Sequence, residues 1–238
     1  MMDGPRAAQG RARPWLLFLL LLALLGLCLG RGWLELPPAW NPWMPLDVQA
    51  PPNLVTPLKL RLVREDSGRC TAALATSALR WEPVEDRDHG DGCVLSNSVR
   101  LRGGPLQLGE SFLATCQLAV AFAIFEHHGL QPAAQAVYGQ PVVGIEHYGS
   151  YACRNIAGSQ RRSQHATANA LDIAGFRLAD GRRITLARDW NGDEREQRFL
   201  RLVREAACKP FNTVLGPEYN AAHRDHLHLD MGRARICR

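Results

Sequence analysis

Six cysteines constrain this chain more than any other feature. Cys70, Cys93, Cys116, Cys153, Cys208 and Cys237 all follow a single apolar run, and only Cys28 lies inside it. An even set in an exported segment implies an oxidising compartment and three disulfides. None of the six forms a CxxC pair, which argues against a thiolate metal site. The pairing is open from sequence; taking neighbours in turn gives Cys70–Cys93, Cys116–Cys153 and Cys208–Cys237. On that reading the first closes a polar loop, the second ties a central helix to a strand, and the third staples a late helix to the chain end.

The apolar run "PWLLFLLLLALLGLCLG" is uncharged and follows Arg6, Arg11 and Arg13. It is at the lower limit for crossing a bilayer, and the preceding positive charge keeps the N-terminus cytoplasmic and sends the rest across. Residues 1–14 are then a basic cytoplasmic tail and 15–30 a transmembrane anchor. A cleaved signal peptide competes, but "LCLGRGW" offers no A-x-A-like site. Lipidation at Cys28 is disfavoured because Leu27 is too large for the usual attachment box. Residues 31–57 are rich in proline and predict an extended, semi-rigid linker, with Trp33, Trp40 and Trp43 placed to meet either a membrane interface or the domain itself.

The remaining residues, 58–238, are enough for one domain with a proper core. Three of the arginines behind the formal charge of +5 precede the apolar run, so this domain is only mildly basic. It has no dense Lys/Arg stripe with interleaved aromatics, which excludes nucleic acid as a partner.

Helical spacing runs through "GESFLATCQLAVAFAIFEHHGL" and predicts a helix capped at Gly129, with His127 and His128 at its C-terminal dipole. "PVVGIEHYGSYACR" predicts a strand, and "ALDIAGFRLADGRRITL" a hairpin turning at Asp180-Gly181. "DEREQRFLRLVREAACKPF" predicts a second helix that stops before Pro210. "HLHLDM" predicts a short strand. Helices early and late with antiparallel strands between make the class α+β: a small antiparallel sheet flanked by helices.

Two good metal ligands, His165 and Asp172, stand in "RSQHATANALDIAGF", a stretch otherwise largely of small and apolar residues. "AAHRDHLHLD" supplies His223, His226 and His228. On a strand, His226, His228 and Asp230 share one face, while Asp225 points away. Two imidazoles, one carboxylate and an open fourth position suit catalytic rather than structural zinc, and a neighbouring imidazole can move protons for amide hydrolysis. Arg154, Arg161 and Arg162 precede the first ligand and are candidates for binding a substrate carboxylate.

"SQHATANALD" resembles the S-x-H-x-x-G-x-A-x-D motif of the zinc peptidases that group lysostaphin, the D-alanyl-D-alanine peptidases and hedgehog domains. "HRDHLH" resembles their closing H-x-H strand. From about residue 65 to Arg238 the chain resembles the bacterial extensin-like C-terminal domain family, on "GSYACRN", "HATANALDIAGF", "REAACKPFNTVLGPEYNAAHRDHLHLDM" and the final "CR". The resemblance implies one zinc ion held by His165, Asp172 and His228, with His226 beside the reacting water and His223 as a second proton-transfer group. His223 stands where the carboxypeptidases have glutamate and where the penicillin-insensitive murein endopeptidases are similar in having histidine. Ala168 replaces the motif glycine, a small-for-small change. The implied activity is hydrolysis of peptidoglycan peptide cross-links, with the anchor in the bacterial inner membrane and the domain in the periplasm. The alternative is a non-catalytic wall-binding or structural envelope module of the same fold.

Overall fold

A computed structural model describes residues 14–32 and 35–238. Arg6, Arg11, Arg13 and Trp33 lie outside the described residues. The apolar run forms helix α1 (Pro14–Gly30), 17 residues with none buried. Among the described residues no helix is long and apolar enough to cross a membrane.

The stretch expected as a free-standing linker is, in its second half, part of the domain. Leu46 and Val48 are buried in the hydrophobic core. The Val48 N–H donates to Thr76 Oγ1 at 2.8 Å, and its carbonyl meets His128 Nε2 at 2.9 Å. The buried ammonium of Lys59 donates to the carbonyls of Pro38 and Pro45. Proline removes donors, not acceptors, so this irregular segment satisfies its carbonyls through Lys59.

Helices α2 (Thr56–Glu65) and α3 (Ser67–Leu74) lead into a three-stranded sheet of β1 (Arg80–Val84), β4 (Ser98–Gly103) and β5 (Phe112–Thr115). A small hairpin, β2 (Arg87–Asp88) and β3 (Val94–Leu95), lies between β1 and β4. Helix α4 (Cys116–Phe125) follows β5 directly, with the Thr115 side chain accepting from the Leu118 N–H. All ten of its residues are buried, which explains an apolar run with no polar face.

The predicted first helix is corrected at both ends. Its first four apolar-patterned residues form β5, and the chain does not stop at Gly129. It passes through a π-helical turn, Glu126–Leu130, into α5 (Gln131–Tyr138), ending at Gly139 with φ +68°. Gly129 is needed for contact instead: a Cβ there would lie 2.9 Å from Ala206 Cβ. That close approach seats the turn against α7 (Glu194–Ala207), which opens with an Asp193/Glu196 capping box.

The second sheet carries the site. Its order is β11 (Ile236–Cys237), β9 (Thr213–Leu215), β10 (Leu227–Asp230), β7 (Ala170–Leu178), β6 (Val142–Gly149), with β8 (Arg183–Thr185) also on β7. Pairings are antiparallel except β11 with β9, so the all-antiparallel expectation holds for the body of the sheet but not that edge. The β7–β8 hairpin turns at Asp180-Gly181 as predicted, with Gly181 at φ +89°. Short helix α6 (Leu186–Asp189) joins β8 to α7.

The disulfides are Cys70–Cys116, Cys93–Cys153 and Cys208–Cys237. Only the last matches neighbour pairing. Cys70 sits on α3, which packs against α4 where Cys116 begins, so that bond joins elements brought together by the core. Cys93, in the β2–β3 hairpin, instead reaches the loop after β6.

Candidate metal centre

Register creates the first half of the site. In the β7–β10 ladder Asp172 lies directly opposite His228, flanked by Ile173 opposite Leu227 and Leu171 opposite Leu229. Those four apolar residues are fully buried, so alternation turns Asp172 and His228 to the other side of the sheet. A one-residue slip would drive both polar groups into the core.

His165 arrives from a 3-10 turn, Gln164–Thr167, started by the Ser163 side chain accepting from the His165 N–H. The turn ends at Ala168, whose φ of +52° lies in the left-handed region. The change from the motif glycine is therefore not neutral in conformation: an L-residue there costs roughly 1–2 kcal/mol. Asn169 then holds the turn in place, accepting at Oδ1 from Thr115 Oγ1 and donating through Nδ2 to Gln164 Oε1.

His165 Nε2 is 3.2 Å from Asp172 Oδ2 and 3.3 Å from His228 Nδ1, and His228 Nδ1 is 2.9 Å from Asp172 Oδ1. One donor atom from each residue lies within 4.8 Å of the other two. Each ring's far nitrogen meets an acceptor. His165 Nδ1 is 3.1 Å from the Ser150 carbonyl, and His228 Nε2 is 3.1 Å from Asp230 Oδ2. Both far nitrogens therefore carry protons, and the near nitrogens, once deprotonated, would offer two lone pairs beside a carboxylate. That donor set fits a cation, and the outward hydrogen bonds are the second shell that orients metal-binding histidines.

Electrostatics agree. Burial pushes the Asp172 carboxyl up, but hydrogen bonds from His165 and His228 outweigh it and hold the group well below the usual carboxylate range. Burial disfavours charge on His228 too, yet its bonds to Asp172 and Asp230 raise it to about 9. In the metal-free protein a proton on His228 partly answers the converging negative charge.

His226 and His223 stand beside this cluster. His226 precedes β10, where strand alternation no longer applies, and this corrects the expectation for Asp225. Asp225 Oδ1 lies 2.9 Å from His226 Nδ1, leaving Nε2 directed toward Asp172 Oδ1 at 3.7 Å. Tyr148 packs edge-on against the His226 ring. His223 ends a 3-10 turn, with Nδ1 2.7 Å from Asn220 Oδ1. Its ring lies 5.3 Å from that of His226 and 5.8 Å from that of His228. Burial, followed by the charges of His228 and His226, lowers it to about 4, so it is neutral near pH 7.

Among the described residues none of the three arginines bonds to His165, Asp172 or His228. Arg154 and Arg161 are exposed on the loop after β6, and neither guanidinium meets an acid among the described residues. Arg162 braces that loop through Asn155 and the Asp91 carbonyl. Sequence reasoning put Asp230 on the His228 face without giving it a role. It had no signal for the Ser150 carbonyl, which tertiary folding alone supplies.

An α+β domain with a His-Asp-His cluster, backed by a carbonyl and a carboxylate and flanked by two more histidines, is a candidate mononuclear metal protein. The family model described as extensin-like protein C-terminus matches residues 68–238, and the chain belongs to that family. No curated protein and no solved structure matches it.

Proposed function

We propose that the protein is a zinc-dependent hydrolase that cleaves peptide cross-links of bacterial peptidoglycan, akin to the lysostaphin and D-alanyl-D-alanine peptidase group. The single observation that carries this reading is the convergence of His165 Nε2, Asp172 and His228 Nδ1, with His226 and His223 adjacent. A zinc ion held there would supply Lewis acidity for a water and the scissile carbonyl.

The chain's own residues divide the rest. Asp225 fixes His226 with Nδ1 protonated, so Nε2 is the atom that accepts a proton on the side of Asp172. His223, neutral at rest, takes up a proton and returns it to the departing amine. Tyr148, packed edge-on against the His226 ring, restricts its rotation. Arginines ahead of an apolar helix, together with three disulfides, support a periplasmic domain tethered at the inner membrane.

The test is incubation of full-length protein with isolated peptidoglycan, followed by mass spectrometry of released fragments. Wild type should release cross-link cleavage products. His226→Ala should keep its metal and lose about 10²–10⁴-fold in rate. Metal-loaded wild type that releases nothing, yet co-sediments with the wall, would make this a wall-binding module.

A further inference from the structure

A groove of about 1020 Å³ lies behind the metal cluster, between α2 and the chain's last turn. None of His165, Asp172 and His228 borders it; Asp230 is the shared wall. Six cations line it: Arg61 and Arg64 from α2, Arg161 from the loop after β6, then Lys209, Arg233 and Arg235. Arg64 is paired with Glu65, and the other five meet no acid among the described residues. The one carboxylate on the wall, Asp230, is already taken by His228 and the Gly232 N–H. A concave wall with this imbalance concentrates anions.

A second observation narrows the ligand. Gln117, on α4, borders the same groove and is 3% exposed. Its Oε1 is buried with no hydrogen-bond donor. Buried amide oxygens are rarely left unmet in a folded protein. Ionised phosphate groups offer mainly acceptors and do not satisfy it. A peptide brings backbone N–H groups along with any carboxylates. We infer that the groove binds an acidic peptide in extended form, its carboxylates on the arginines and an N–H on the Gln117 amide oxygen, which must turn toward the groove to meet it. This site is separate from the metal centre and stands whether or not the protein hydrolyses anything.

The experiment is fluorescence anisotropy at low salt, with full-length protein in non-ionic detergent and a labelled oligoglutamate. Oligoglutamine of equal length and vesicles of anionic phospholipid are the comparisons. Oligoglutamate should bind more tightly than oligoglutamine, weaken with added salt, and bind unchanged after chelation of metal. Arg233→Glu with Arg235→Glu should weaken it about tenfold. Gln117→Leu should weaken it several-fold without lowering the melting temperature, because it removes an unmet oxygen. Equal binding of the two peptides, indifference to the double arginine variant, or binding of vesicles but not of oligoglutamate would overturn the assignment.

Discussion

Asp172 and His228 face each other directly across the β7–β10 ladder, with Oδ1 and Nδ1 2.9 Å apart. The pairing that builds the sheet thus also sets the distance between two metal-binding groups, and both are anchored from behind. Asp230, two residues along the same strand, holds His228 Nε2. Asp230→Asn preserves the shape but weakens that hold on the ring. It should lower metal affinity about 10–100-fold with the fold intact, as read by competition with a chromophoric chelator. Unchanged affinity would remove Asp230 from the site.

Stability and metal affinity should depend on pH in opposite ways above neutrality. His228 titrates near 9 in the metal-free fold, against an ordinary value of 6.5. Its stabilising contribution is complete below the ordinary value and is lost as pH rises toward 9. Asp172 contributes above its ordinary range and loses that contribution on acidification. His223, lowered to about 4, stays neutral while the unfolded imidazole charges, so it too destabilises as pH falls below 6.5. Metal-free protein should therefore melt highest near pH 6–7 and lower on either side. Metal must displace the His228 proton, so its affinity should climb between pH 6.5 and 8.5, by up to about tenfold per unit. A flat affinity profile would contradict this.

The Cys93–Cys153 bond reaches the metal site indirectly. Cys153 follows Ser150, whose carbonyl holds His165 Nδ1, and Ala152, whose N–H donates to the His165 carbonyl. Replacing both cysteines by alanine should cost about 4 kcal/mol in the chain-entropy model. It should also weaken metal binding under conditions where the fold persists. Cys208–Cys237 staples α7 to β11, away from every ligand, so its removal should lower the melting temperature and spare metal affinity. Equal effects of the two pairs on metal affinity would show that His165 does not depend on that loop.

Much of this was legible in local sequence pattern, and what was not depends on tertiary placement. The Asp180-Gly181 turn, the α7 periodicity and the spacing around His165, Asp172 and His228 are local signals, and the structure brings those three residues together. Disulfide partners are set by which elements meet, so α3 against α4 gave Cys70–Cys116 where chain order suggested otherwise. The alternation rule failed for Asp225 because it lies before β10 begins. Gly129 read as a helix stop because composition does not distinguish a cap from a close helix contact. The proline-rich stretch carried no period, and its burial rests on Leu46 and Val48 meeting a core assembled by later residues.

The most direct test of the account is metal content, measured by mass spectrometry on full-length protein purified in the presence of zinc. Wild type should carry one ion per chain, and His165→Ala and His228→Ala less than about a tenth of that, since two remaining ligands hold zinc poorly. His226→Ala should remain loaded. Metal-free wild type under those conditions, or loss of the ion from His226→Ala with retention in His228→Ala, would contradict the assignment of His165, Asp172 and His228 as the ligands.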